Sequence, residues 1–263
     1  DSPYSLRAMA QFLNRQGFFV VGLRLPGHGT APSGLAHATD EDFVAAVRMA
    51  AREVHDSLAD GIPFYIAGYS NGATLAINYT LSVLDGEERP LPDGVVLVSP
   101  AVGVSPVAAL AKWQRRLAVL PGLGKLVWNS IHLEYDPYKY NSFAVNAGDQ
   151  ISRLTRENDS LLARLNQGSG VVGFPPVLAF QSVADATVST PAVVERFMRH
   201  LAPNGHRLVL FDVNRQAEAE AMLTNDFRAQ IDQLMEERSW PFAMTLVTNR
   251  DVSTPTLAAL STD

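Results

Sequence analysis

Apolar runs and amphipathic runs alternate along this chain, the pattern of βαβ units feeding a parallel sheet. Ser2 and Pro3 supply a cap and first-turn pair for a helix whose stripe is Leu6, Met9, Ala10 and Leu13, with Gly17 ending it. Residues 18–25 read as a fully buried strand. Residues 42–59 read as a helix with Val44, Val47, Ala51, Val54 and Leu58 on one face. Residues 63–69 form the next strand, which passes at once into the helical pattern Ala73-Thr74-Leu75-Ala76-Ile77. Further strands are expected at 94–99, 177–181, 207–213 and 242–248. Thr190-Pro191 is expected to cap a helix carrying Val194, Phe197, Met198 and Leu201, and 216–237 is helical in pattern.

Residues 101–173 break the rhythm, and about 70 residues are too many for a simple connection in a compact domain. They are expected to form an inserted cap. It holds Trp113, Trp128, the cluster Tyr135-Asp136-Pro137-Tyr138-Lys139-Tyr140 and Phe143, aromatics that would pack the cap and together suggest a substrate with apolar surface. The fold class is α/β: a mostly parallel sheet flanked by helices, with residues 1–100 and 174–263 as the core and 101–173 as a helical cap.

Composition narrows the chemistry. With 263 residues, 47% hydrophobic and 18% charged, the chain can bury one large core. A formal net charge of −6 gives no basic footprint, which argues against nucleic acid and against adhesion to anionic membranes. Having no cysteine excludes disulfides, thiolate metal sites and a cysteine nucleophile. No apolar run reaches a membrane span, and no metal-ligand spacing or phosphate loop is present, so no cofactor and no metal are expected. The compartment is left open with the cytoplasm favoured, and the oligomeric state is left open too.

The decisive motif is Gly68-Tyr69-Ser70-Asn71-Gly72, a G-x-S-x-G turn between a predicted strand and a predicted helix. Such a turn holds its serine in a strained conformation with the hydroxyl projecting from the sheet. Side chains at both glycine positions are expected to collide with the neighbouring strand or helix. The helix that follows directs backbone N–H groups and the positive end of its dipole at the same point. A carboxylate that orients a histidine must lie on a loop at the carboxyl end of a strand on the same edge, and Asp185 fits, with Asp212 in reserve.

Together the loop Arg24-Leu25-Pro26-Gly27-His28-Gly29, the elbow, Ser99-Pro100, the insertion and the Asp185 segment resemble the α/β-hydrolase fold. The resemblance is to the carboxylesterase, lysophospholipase and monoacylglycerol-lipase-like group described as serine aminopeptidase S33-like, and it covers nearly all of residues 1–213. It implies hydrolysis of a small-molecule ester or amide through an acyl-serine intermediate: Ser70 as nucleophile, the Asn71 N–H as oxyanion donor, Tyr69 lining the site and Asp185 as triad acid. Ester against peptide stays open. So do a catalytically silent ligand-binding protein of this fold and a partner-binding role for the cap aromatics.

In that group the histidine follows the acid, yet only His200 and His206 follow Asp185, one on a helix and one before a strand at the wrong edge. His28 borders the site in the resemblance and is a weak candidate for base; His37, His55 and His132 are weaker. The resemblance therefore implies an interior fragment of a serine hydrolase, with the catalytic histidine beyond Asp263 and a preceding oxyanion loop missing ahead of Ser2.

Overall fold

The computed structural model describes residues 2–103, 128–134, 136, 140–166, 168–183, 185, 190–213, 227–236, 239–250 and 256–262. The chain clusters into two compact units, residues 1–62 with 104–156 and residues 63–103 with 157–263.

In the first unit a 3-10 turn (Pro3–Leu6) leads into helix α1 (Arg7–Arg15), and Gly17 at φ 92° ends it. Ser2 has the extended backbone of a cap, but its side chain makes no capping hydrogen bond. Helix α2 (Asp40–Asp56) starts two residues before the predicted position because Thr39 and Asp42 form a capping box, each side chain accepting from the other's N–H at 3.2 and 2.9 Å. Phe43, Val44 and Ala51 are its buried residues.

Residues 18–25 are not a strand, contrary to the expectation from sequence. They pair with no described strand, and Phe18, Phe19 and Val21 are 45, 69 and 51% exposed. An apolar run alone does not make a strand; the ladder partner does.

The predicted cap contributes a short antiparallel pair, β3 (Trp128–Ser130) with β4 (Phe143–Ala144), and a long helix α4 (Val145–Leu165). Trp113, Tyr135, Pro137, Tyr138 and Lys139 lie outside the described residues. Tyr140 ties two backbone groups together, since its hydroxyl accepts the Thr30 N–H at 2.7 Å and donates to the Gly27 carbonyl at 3.1 Å. Asn146, at the start of α4, donates to the carbonyls of Leu35 and Ala38 at 2.9 and 2.8 Å.

The second unit carries the sheet. Strands β1 (Tyr65–Tyr69), β2 (Gly94–Val98), β5 (Val177–Ser182), β6 (Arg207–Asp212), β7 (Ala243–Asn249) and β8 (Leu257–Ser261) lie in that spatial order. All neighbours are parallel except β8, which runs antiparallel on β7. The strand at 257–261 was not expected from the sequence. Helix α3 (Asn71–Leu84) is buried on every side from Ala73 to Ser82, as befits a helix packed at the centre of a core. Helix α5 (Thr190–Arg196) places Val193 and Val194 in the core, and Phe197, Met198 and Leu201 follow them in. Helix α6 (Phe227–Glu236) adds Ile231 and Leu234; residues 214–226 lie outside the described part. Each such fully buried large apolar side chain contributes about 1.5–3 kcal/mol.

His206 latches the amino edge of this sheet. Its Nδ1 accepts the Val177 N–H at 3.1 Å, so Nε2 carries the proton and donates to the Ala202 carbonyl at 3.0 Å. The ring is 1% exposed and meets Phe174 edge-on. Burial holds its pKa below the ordinary 6.5. The folded state therefore resists a proton that the unfolded chain accepts, so this contribution to stability is complete above about pH 6.5 and is lost as pH falls below it. Urea titrations at pH 7.5 and 5.5 should show that loss, and it should shrink in His206→Asn. His206→Ala, which leaves two buried backbone groups unpaired, should cost about 2–3 kcal/mol at pH 7.5 in the same titration.

Candidate active site

The end of β1 and the start of α3 are joined by one residue. Ser70 sits at φ 52°, ψ −115°, a left-handed conformation costly for a residue with a side chain. Gly68 makes the turn possible: a Cβ there would lie 2.3 Å from the Gly72 carbonyl oxygen and 2.4 Å from the Ala73 nitrogen. Gly72 does not share that role. A Cβ on Gly72 would meet nothing within 4 Å, so the expected collision holds on one side of the serine only. The physical reason is direction, since residue 68 faces the first turn of α3 whereas residue 72 faces open space.

The strained turn is held at both ends. The Ser70 N–H donates to the Val98 carbonyl at 2.9 Å, continuing the β1–β2 ladder one step past the strand. The Ser70 carbonyl accepts the N–H groups of Ala73 and Thr74 at 3.0 and 3.2 Å, starting α3. Among the described residues no hydrogen bond engages the Ser70 hydroxyl, and the residue is half-buried. The first N–H groups of α3 lack helical acceptors and carry the positive end of the dipole, so the space beside Ser70 favours negative charge. Tyr69, the last residue of β1, is 44% exposed. Asn71 follows Ser70 directly, and its side-chain oxygen is buried with no hydrogen-bond partner.

Asp185 stands three residues past β5, its N–H on the Ser182 carbonyl at 3.2 Å. Since β2 lies between β1 and β5 and all three run parallel, Ser70 and Asp185 leave the same edge of the sheet. Two strand spacings, about 10 Å, separate their strands. Asp212 ends β6, one spacing further away. Thr190 is not the cap expected of it: it is the first residue of α5, and its hydroxyl is buried without a partner.

The histidines after Asp185 lie elsewhere. His206 closes the amino edge. The His200 Nε2 donates to the Glu195 carbonyl at 3.1 Å beyond the far end of α5. His28 belongs to the first unit, where its Nδ1 donates to the Pro26 carbonyl at 2.9 Å and its ring meets Phe43 edge-on; burial lowers its pKa. A cleft of about 350 Å³ opens between α4 and α5, lined by Asp159, Leu162, Glu195, Arg196 and His200, and none of Tyr69, Ser70, Asn71 or Asp185 lines it. Among the described residues no group of three or more His, Asp or Glu could hold a metal ion, and no helix is long and apolar enough to cross a membrane.

The family model described as serine aminopeptidase, S33, matches residues 4–213. The chain belongs to this family. It is thus a hydrolase of the α/β-hydrolase fold. The structure of one of the metagenome-derived lipolytic enzymes LipS and LipT aligns with 89% of each chain at 19% identity and a TM-score of 0.61. A monoacylglycerol lipase from Paleococcus ferrophilus aligns over 89% of this S33-family chain and 90% of its own, at 22% identity and a TM-score of 0.58. A soluble variant of monoglyceride lipase from Saccharomyces cerevisiae, in complex with a substrate analogue, aligns over 71% and 65% at 16% identity and a TM-score of 0.50. At these identities the likeness shows the fold. Comparison with curated proteins gives no significant match.

Two groups that the sequence did not single out for the S33 site emerge from its geometry. Ser99 follows β2 directly at φ 45° and, with Ser70, is one of the two non-glycine residues at positive φ among those described. Thr74, fully buried, donates its hydroxyl to the Ala101 carbonyl at 3.0 Å. Ser99-Pro100 was legible as a strand end, but left-handedness one step from the elbow was not.

Proposed function

We propose that this S33-family hydrolase cleaves a carboxylic ester bearing apolar surface through an acyl-serine intermediate on Ser70. The observation that carries the reading is the left-handed Ser70 with an unengaged hydroxyl at a strand-to-helix turn. In this reading the hydroxyl, deprotonated by a histidine, attacks the carbonyl carbon; the C–O bond to the leaving group breaks and the alcohol departs with a proton. Water then releases the acid and restores the serine. The Asn71 N–H stabilises the oxyanion, Tyr69 lines the approach and Asp185 orients the histidine. His200 and His206 are not assigned as that base, because both are engaged away from the carboxyl edge.

The ester preference is supported by the names of the structural relatives, which are lipolytic enzymes and monoacylglycerol lipases. The family description favours a second reading, an aminopeptidase of the same fold. p-Nitrophenyl esters of rising chain length, assayed beside aminoacyl anilides on the full-length protein, separate the two. Ester turnover that improves with chain length is expected; anilide turnover alone would replace the esterase with the peptidase. Fluorophosphonate labelling at Ser70 is expected in either case, and its failure would leave a silent ligand-binding protein. Asp185→Asn should lower kcat about 10,000-fold with KM nearly unchanged, whereas the same change at Asp212 should leave kcat within about threefold. The opposite ranking would move the acid to β6.

A further inference from the structure

The two left-handed serines stand side by side. Tyr69 and Val98 are partners in the β1–β2 register, so Ser70 and Ser99 are each one residue past the same rung. Ser99 is the more surprising of the two, because Pro100 follows it and a residue before proline is pushed toward extended backbone, not toward φ 45°. Strain of this kind persists only where the surroundings over-determine it.

The surroundings converge on Thr74. Its hydroxyl donates to the Ala101 carbonyl at 3.0 Å and lies 3.4 Å from the Ser70 carbonyl. The Ala101 N–H returns to that same Ser70 carbonyl at 3.4 Å. Elbow and loop are thus cross-tied by one backbone hydrogen bond and one buried side chain, which meets the loop two residues after Ser99 and stands four residues after Ser70. The base of the tie is fixed in turn. The Thr74 carbonyl accepts from the Asn158 side chain at 3.0 Å, and Asn158 accepts from the Asn78 side chain at 3.0 Å. The Ser99 N–H is anchored on the Phe180 carbonyl at 2.8 Å.

We propose that Thr74 is a positioning residue: its hydroxyl clasps the loop after β2 to the elbow and so holds Ser70 in the conformation from which its own hydroxyl reacts. The catalytic half of this inference rests on the function proposed above; the clasp itself does not. Thr74→Val keeps the shape and removes the donor, and Thr74→Ser restores the donor while losing a methyl group. Amide hydrogen exchange on the full-length protein reads the clasp directly. In Thr74→Val, exchange at Ala101 and Ser70 should rise about tenfold relative to Leu97 and Leu208 in the core strands, and Thr74→Ser should stay near wild type. Unchanged exchange in Thr74→Val, or exchange in Thr74→Ser raised as far as in Thr74→Val, would overturn the clasp.

The rate of fluorophosphonate labelling at Ser70 reads its consequence. Thr74→Val should label about tenfold more slowly and Thr74→Ser near the wild-type rate, a rescue that loss of packing would not give. Wild-type labelling rates in Thr74→Val would refute the positioning role. If the wild-type protein itself does not label, the hydrolase reading and the positioning role fall together, and exchange still decides the clasp. Should Thr74→Val fail to fold, Asn158→Ala, which loosens the tie from the other side, should raise exchange at Ala101 in the same way; protection equal to wild type would again overturn the clasp.

Discussion

Replacing Ser70 by alanine should lower ester hydrolysis by the full-length protein at least about 1,000-fold and abolish fluorophosphonate labelling, with the thermal transition nearly unmoved. The hydroxyl makes no hydrogen bond among the described residues, so its removal leaves no buried partner stranded. The backbone hydrogen bonds that fix the turn, from Ser70 N–H to Val98 and from Ala73 and Thr74 to the Ser70 carbonyl, remain in the variant. Ser70→Gly sharpens the test. It should be as inactive as alanine yet more stable by about 1 kcal/mol, because glycine takes φ 52° without penalty. Activity and stability moving in opposite directions at one residue would mark strain kept for chemistry. Substantial turnover by Ser70→Ala would remove the serine from the mechanism.

The second large effect is expected at Gly68. Alanine there should destabilise the protein by about 3 kcal/mol, the upper end of overpacking costs, because its Cβ would overlap backbone atoms of Gly72 and Ala73. Backbone cannot swing aside as a flexible side chain can; α3 itself would have to move off β1. Gly72→Ala meets open space and should be neutral or stabilising by up to about 1 kcal/mol, since glycine is a poor helix former. Chemical denaturation of the two variants in parallel checks the asymmetry. Equal losses would mean that the turn is built differently from the one described.

Much of this arrangement was readable from residue order. Parallel strands at 65–69, 94–98, 177–182, 207–212 and 243–249 announce themselves as short apolar runs, and the elbow is a local motif set by sequence neighbours. Asp185 could be placed because a loop after a parallel strand has only one edge to occupy. Features that depend on distant partners were not readable. Residues 18–25 have the composition of a strand but no rung to share among the described residues. Strand β8, Leu-Ala-Ala-Leu-Ser, has neither β-branched residues nor alternation, and it exists through its pairing with β7. The asymmetry of Gly68 and Gly72 is likewise a matter of which way each Cα points, which a five-residue pattern does not encode. Thr74 carries no motif and Ser99-Pro100 reads only as a strand end; the hydrogen bond between α3 and the loop after β2 makes both notable.

The complete enclosure of α3 has a bearing on how variation in this protein is to be interpreted. From Ala73 to Ser82 every position faces packed atoms, so, Thr74 apart, intolerance to substitution there will report on jigsaw fit and not on reaction chemistry. A mutational scan would show a dead block of ten positions beginning three residues after Ser70, and, beyond Thr74, the residues that govern turnover would have to be sought at its margin, where side chains still meet solvent.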